Sequence, residues 1–181
     1  KYTEIMSIPK GESTVKKTLG IIGLGAVGKC VAKRARGFSM RVLAFDVYQD
    51  QAYARENDIE YTKLDTLIQQ SDIITLHAVL TKDTFHMINQ ERLSMMKQNA
   101  ILINTARGDL VDEAALLATL KSGKLCGAGL DVFSEEPPLD EDWYALGNVV
   151  MGSHCSSSTD GATATMGHMA VDNLLRELHI N

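Results

Sequence analysis

Six short apolar runs alternate with longer segments of helical periodicity along this chain, and the alternation restricts the possible folds more than any other feature. The runs are rich in β-branched residues and almost free of charge, which is typical of strands covered on both faces of a parallel sheet. They lie at 18–23, 41–46, 72–77, 100–105, 125–131 and 148–151. Helices are expected over 26–36, 48–56, 63–70, 90–96, 112–122 and 160–178. This order predicts an α/β domain with a doubly wound parallel sheet, the Rossmann-type architecture.

The composition excludes several classes of function. The 18 basic and 23 acidic residues give a net charge of -5 without a long basic run, which argues against nucleic acid or an anionic membrane as a partner. No apolar stretch reaches the roughly 18 residues of a membrane span. The three cysteines are far apart and form no C-x-x-C pair, so they predict reduced thiols in a cytoplasmic protein and no metal site. We expect a linker over 1–17, the domain over 18–159 and a final helix within 160–181.

The sequence GLGAVG leaves the first predicted strand and opens the first predicted helix. In such a motif Gly23 makes the tight turn, Gly25 lets the backbone approach a pyrophosphate, and Gly28 lets the helix pack closely on the strand. The helix N-terminus, at Ala26 and Val27, supplies N–H groups and partial positive charge for the phosphates. The motif in this position predicts a dinucleotide site.

Asp46 follows Gly28 by 18 residues, at the end of the second predicted strand. A carboxylate at this point can accept hydrogen bonds from the hydroxyls of the adenosine ribose. It would repel a 2′-phosphate, and the next residues, Val47 and Tyr48, offer no arginine to bind one. The cofactor predicted is therefore NAD, although a glycine turn followed by a solvated aspartate remains the alternative.

Four ionisable residues follow the later strands. Arg107 lies just past the fourth strand, Asp131 and Glu136 past the fifth, and His154 past the sixth. The ligand crevice of an open parallel sheet lies outside the carboxyl ends of its strands, so these side chains can converge there. Taken singly, Arg107 is more often a surface cation, Glu136 part of a solvated acidic loop and His154 a cap. Taken together, these three residues predict a catalytic site.

Four segments resemble the cofactor domain of the D-isomer-specific 2-hydroxyacid dehydrogenases. They are KKTLGIIGLGAVGK, NTARGDLVDEAALLATLKSGKL, GAGLDVFSEEPP and the histidine after NVVM, and the resemblance spans residues 17 to about 178. It implies that Arg107 binds the substrate carboxylate and carbonyl oxygen, that His154 is the acid/base, and that Glu136 orients the histidine. It also implies that Asp131 contacts the nicotinamide amide and that His77 and Thr105 line the cofactor site.

The resemblance implies an oxidoreductase that transfers a hydride between NAD(H) and a small D-2-hydroxy acid or 2-oxo acid. Members of this family fold a separate substrate domain, so the chain is expected to be a fragment with little activity alone, its last helix leading back to that domain. A two-fold dimer is also implied, and the apolar helical residues Leu116, Leu117 and Leu120 can face either the sheet or a partner. The chain departs from the family where Ser153 and Val79 replace the usual prolines.

Two other functions remain open from the sequence. A non-catalytic NAD(H)-sensing module can keep the same fold and the same ionisable residues. A non-redox Rossmann domain, such as one similar to S-adenosylhomocysteine hydrolase, would not be expected to contain the NTARGDLVD segment. Formate dehydrogenase relatives are disfavoured because they have glutamine in place of Glu136.

Overall fold

The computed structural model describes residues 13, 14 and 16–179. Most of the linker predicted over 1–17 lies outside these residues. The described chain forms a parallel sheet in the order β3-β2-β1-β4-β5-β6-β7. The strands are β1 (Thr18–Ile22), β2 (Arg41–Phe45), β3 (Ile59–Tyr61), β4 (Ile73–Leu76), β5 (Ile101–Asn104), β6 (Gly127–Leu130) and β7 (Val149–Met151). The helices are α1 (Ala26–Gly37), α2 (Gln51–Glu56), α3 (Leu64–Gln70), α4 (Gln90–Met95), α5 (Glu113–Lys121), α6 (Asp142–Ala145) and α7 (Asp160–Glu177).

The order in which strands are added to the sheet reverses at β1. β1 is buried at all five positions and pairs in parallel with both β2 and β4. Strands added after β2 extend one side of the sheet, and those from β4 onward extend the other. Because a crevice opens at such a switch point, at the carboxyl ends of the strands, the topology places the ligand site above β1 and β4. The predicted doubly wound α/β fold is confirmed.

Three elements were absent from the sequence prediction. β3 is a three-residue edge strand whose middle residue, Glu60, is exposed, so it lacks the continuous apolar run of the inner strands. α6 is a single turn in the acidic, proline-containing segment, and Gly108–Leu110 forms a short 3-10 turn. α2 begins at Gln51 rather than at residue 48, because the Asp50 side chain caps it by accepting a hydrogen bond from the Tyr53 N–H.

The apolar core forms two clusters, one on each face of the sheet. Leu116, Leu117 and Leu120 on α5 are all buried in the larger cluster. They therefore face the sheet and offer no surface to a second subunit. Across the residues described, no helix combines the length and apolar character needed to cross a membrane.

α7 differs from the other long helices in its exposure. Thr159 caps its N-terminus by accepting a hydrogen bond from the Ala162 N–H at 3.2 Å. Within the described part of the chain, none of its residues is buried, and apolar side chains including Met166, Met169 and Leu174 are more than half exposed. The domain thus presents a helix with an open apolar surface beyond β7.

Candidate active site

Asn104, the last residue of β5, fixes the loop that carries Arg107. Its buried side chain accepts a hydrogen bond from the Ala106 N–H at 3.1 Å and donates one to the Arg107 carbonyl at 2.8 Å. The Arg107 guanidinium is exposed and, within the described residues, donates a single local bond, to the Ala106 carbonyl. The loop is therefore held by hydrogen bonds from the Asn104 side chain to its backbone atoms, and the guanidinium remains available to a ligand. The signal for Asn104 in the sequence was a polar residue closing an apolar strand, and it was missed.

His154 and Glu136 lie in contact beyond the ends of β7 and β6. The His154 Nδ1 is 2.9 Å from one Glu136 carboxylate oxygen and 3.2 Å from the other. The His154 backbone has φ of 52° and its N–H donates to Asp131 Oδ1 at 3.2 Å. Asp131 thus holds the backbone of the histidine while Glu136 holds its ring.

The Glu136 carboxylate is ionised in this arrangement. The hydrogen bond with His154 lowers its pKa most, the bond from the Phe133 N–H comes next, and the positive charge of Arg107 is among the smaller causes. An ionised carboxylate can only accept hydrogen bonds, so the His154 Nδ1 carries a proton. The second ring nitrogen, Nε2, is then the position at which this ring can exchange a proton with a ligand.

Gly108 lies where the loop that carries Arg107 packs against the loop that contains Glu136. A Cβ at this position would lie 2.0 Å from the Phe133 carbonyl carbon and 2.1 Å from the Ser134 nitrogen, both of them backbone atoms. Because backbone atoms cannot rotate away, we expect Gly108→Ala to lower the free energy of unfolding by about 3 kcal/mol. Thermal or urea denaturation measures this.

Gly147→Ala is the matched control, since a Cβ there meets no atom within 4 Å. Its unfolding free energy should change by no more than about 0.5 kcal/mol. Equal effects at the two glycines would contradict the close approach at Gly108.

Two cavities lie at this edge of the sheet, and the predicted residues divide between them. One, of about 260 Å³, is lined by Val27, His77, Ala78, Val79, Leu80, Thr105, Ala106 and Arg107. The other, of about 410 Å³, has Asp131, Glu136 and His154 among its lining residues. Arg107 and His154 therefore do not share a cavity, although the charge of Arg107 reaches Glu136.

His77 is neutral at the wall of the smaller cavity. Its Nε2 is 3.0 Å from the Thr75 hydroxyl, and burial lowers its pKa. A neutral imidazole offers one donor and one acceptor without placing a charge beside the ligand.

The glycine motif provides a cradle at the start of α1. Gly23 has φ of 95°, and a Cβ on Gly28 would lie 2.1 Å from the Gly23 carbonyl oxygen, so both positions require glycine. A Cβ on Gly25 would meet nothing within 4 Å, which leaves open space at the helix N-terminus. A pyrophosphate fits this space, where N–H groups and the helix dipole favour negative charge.

Asp46 lies beside this cradle, on a cavity of about 620 Å³ that Gly25 and Lys29 also line. Its carboxylate accepts hydrogen bonds from the Leu24 N–H at 2.7 Å and the Tyr48 N–H at 3.0 Å. Each oxygen retains a lone pair toward which a ribose hydroxyl can donate. The residues present thus fit the adenosine half of NAD. Lys29 and its partner Asp50 were not singled out from the sequence.

Comparison with known proteins identifies the family. The family model for the NAD-binding domain of D-isomer-specific 2-hydroxyacid dehydrogenases matches residues 5–156. A glyoxylate reductase of Pyrococcus horikoshii is 46% identical over 165 residues, 91% of this chain and 49% of the relative. A hydroxypyruvate reductase of Thermotoga maritima is 44% identical over 174 residues, 94% of this chain and 56% of the relative.

Solved structures agree with the sequence comparison. The D-lactate dehydrogenase of Aquifex aeolicus, solved with NAD and lactic acid, superposes with a TM-score of 0.83 at 34% identity. The match covers 98% of this chain and 59% of that structure. The chain spans about half the length of the curated relatives it matches. It belongs to the D-isomer-specific 2-hydroxyacid dehydrogenases, as the NAD-binding domain of that family.

Proposed function

We propose that the protein carrying this domain is an NAD-dependent dehydrogenase that interconverts a small 2-oxo acid and the corresponding D-2-hydroxy acid. The observation that carries the proposal is the contact between His154 Nδ1 and Glu136, at 2.9 Å, beside the crevice of the sheet. A carboxylate-oriented imidazole is suited to exchanging a proton with a substrate oxygen. The names of the relatives, glyoxylate reductase and hydroxypyruvate reductase, support small 2-oxo acids as the substrate class.

The proton moves through His154 in this proposal. In the reductive direction the ring is protonated on both nitrogens, and Nε2 donates its proton to the carbonyl oxygen of the substrate. Glu136 lies against the Nδ1 side of the ring and keeps Nε2 directed away from itself. The neutral ring removes the hydroxyl proton in the oxidative direction.

Arg107 binds and polarises the substrate. Its planar guanidinium can hold the substrate carboxylate through two parallel hydrogen bonds, a geometry that lysine cannot reproduce. Its charge also stabilises the oxygen of the carbonyl group as negative charge develops there. When bound, the nicotinamide supplies or accepts the hydride. A contact between Asp131 and the nicotinamide amide, and cofactor contacts from Val27, His77 and Thr105, are part of the same proposal.

The carboxylate of Asp46 supports a preference for NAD(H) over NADP(H). A 2′-phosphate at the adenosine ribose would place a dianion against this side chain. Calorimetric titration of the protein with NADH and NADPH measures the difference, and equal affinities would contradict the assignment.

The direct test of the proposed function is an NADH absorbance assay with glyoxylate and hydroxypyruvate, using the complete protein that carries this domain. We expect both 2-oxo acids to be reduced and a D-2-hydroxy acid to be formed. Binding of NADH without turnover of any 2-oxo acid would overturn the proposal and favour the NAD(H)-sensing module instead.

We also propose a substrate domain, a dimer and a cytoplasmic location for the complete protein. The open apolar surface of α7 supports a neighbouring domain that covers it. The dimer has no support from the α5 leucines, which are buried, and light scattering on the complete protein tests it. The exposed free thiols of Cys30, Cys126 and Cys155 are compatible with a reducing compartment.

A test of Glu136 follows from its contact with the histidine ring. Its lowered pKa means that the carboxylate is charged throughout the neutral range, and it lies 2.9 Å from the His154 Nδ1. Glu136→Gln leaves the ring without this charged partner, so the ring is held less firmly for proton exchange. We expect kcat/KM for glyoxylate reduction to fall about tenfold or more.

The measurement is kcat/KM for glyoxylate reduction. Glutamine keeps an oxygen that can accept from the Phe133 N–H, so the loop should hold its position. Glu135→Gln, a change of the same kind at the exposed neighbouring residue, is the control and should leave kcat/KM unchanged. An unchanged kcat/KM for Glu136→Gln would show that the carboxylate does not act on the ring.

A further inference from the structure

Lys29 lies on the wall of the cavity of about 620 Å³ beside Asp46, and the proposed function assigns this cation no role. It follows Gly28 on α1, and its Nζ is 2.6 Å from an Asp50 carboxylate oxygen and 4.5 Å from the centre of the Tyr53 ring. Both Lys29 and Asp50 line the cavity that Asp46 also lines. The cation therefore lies in the compartment where the ribose is proposed to bind.

Asp50 is held in place by three separate hydrogen bonds. One carboxylate oxygen accepts from the Tyr53 N–H at 3.0 Å and the other from Lys29. The Asp50 N–H donates to the Tyr61 hydroxyl at 3.1 Å. The Tyr53 hydroxyl in turn donates to the Lys29 carbonyl at 3.2 Å, which links α2 back to α1. Both partners of the ion pair are thus fixed before any ligand arrives.

Both partners of the pair are charged. Their mutual hydrogen bond lowers the pKa of Asp50 and raises the pKa of Lys29. The residues lining the cavity are Leu24, Gly25, Lys29, Asp46, Tyr48, Gln49, Asp50 and Gln51. Lys29 is the one cation in this set, and two carboxylates outnumber it. A ligand that carries further negative charge is therefore repelled by the net negative charge of the cavity wall, although a lysine is present.

We propose that Asp50 is a second determinant of cofactor selectivity, which acts by binding Lys29 and withholding its ammonium from a 2′-phosphate. Asp46 repels that phosphate directly, whereas Asp50 removes the cation that would attract it. Because this role presupposes that the cofactor ribose binds beside Asp46, it rests on the proposed function. The chemical group excluded is the 2′-phosphate of NADP(H).

The test is Asp50→Asn in the complete protein, with NADPH and NADH affinities measured by fluorescence titration. Asparagine is as good an N-cap as aspartate, so α2 keeps its cap while the charge is lost. Freed from its partner, Lys29 can pair with the 2′-phosphate, and we expect the affinity for NADPH to rise about tenfold. The affinity for NADH should stay within about twofold, because NADH carries no charge at that position.

Lys29→Gln in the Asp50→Asn background separates selectivity from structure. If Asp50 acts through Lys29, the double variant loses the gain in NADPH affinity. Asp65→Asn is the matched control. Asp65 forms an ion pair with Arg92, 3.0 Å long, and neither residue lines this cavity. The substitution should leave both affinities unchanged.

The outcomes distinguish this role from the proposed function. An Asp50→Asn protein with unchanged NADPH affinity, or with both cofactors weakened equally, would overturn the role of Asp50 and identify the ion pair as a tie between two helices. If Asp46→Ala improves NADPH binding in the same titration, the proposed ribose site stands whichever result Asp50 gives. Failure of the unmodified protein to bind NADH would instead overturn the proposed function.

Discussion

Replacing His154 with asparagine in the complete protein is expected to lower kcat for the proposed reduction of glyoxylate by about two to four powers of ten. Asparagine removes the group that is proposed to exchange a proton with the substrate oxygen. It is chosen over alanine because His154 has φ of 52°, a conformation that asparagine tolerates better than most residues. The affinity for NADH should change by no more than about twofold, since the proposed role is proton transfer. Stopped-flow absorbance and a fluorescence titration give the two quantities.

His86→Asn is the matched control. His86 also has a positive φ, 48°, but it stacks on Phe85 and lies outside the His154–Glu136 pair. We expect it to retain the parent rate within about twofold. A His154→Asn enzyme as fast as the His86→Asn enzyme would exclude His154 as the acid/base.

The inner strands and the glycine motif were predictable because their signals are local. β1 is buried at every position, so its sequence is a continuous apolar run, and the glycine motif occurs where that run ends. Gly28 is required by a contact with Gly23 only five residues away. Asp46 was predictable in the same way, because it directly follows the apolar run of β2.

The elements that were missed depend on contacts between distant parts of the chain. β3 is an edge strand with one exposed face, and its three residues are too few to show a pattern. Lys29 and Asp50 are 21 residues apart and meet only because α1 and the start of α2 lie side by side. No spacing rule in a sequence predicts such a pair.

The candidate site was predicted from the sequence as a group of residue types but not as a geometry. Topology brings the carboxyl ends of β5, β6 and β7 to one edge, which placed Arg107, Glu136 and His154 together in outline. The residue types alone did not predict that Glu136 contacts the histidine ring or that Asp131 contacts the histidine backbone. The division of the candidate residues between two cavities was not predictable either, because loops rather than strands separate the cavities.

The second large effect is expected at Arg107. Arg107→Gln should lower kcat/KM for glyoxylate by about three powers of ten, because in the proposed function the substrate then loses both its carboxylate partner and a charge beside the carbonyl oxygen. Arg107→Lys should recover only part of this loss, since lysine restores the charge but not the paired hydrogen bonds. Steady-state kinetics measure both variants.

The loop geometry makes this prediction specific to the side chain. Asn104 binds the backbone carbonyl of Arg107 and the Ala106 N–H, so neither substitution removes a bond that shapes the loop. Unfolding temperature and NADH affinity should therefore stay close to those of the parent. Arg34 is the matched control because its guanidinium also donates to a nearby backbone carbonyl, that of Cys30, but on α1. Arg34→Gln should leave kcat/KM unchanged, and a comparable loss at both arginines would mean that charge alone, rather than a substrate contact at Arg107, supports turnover.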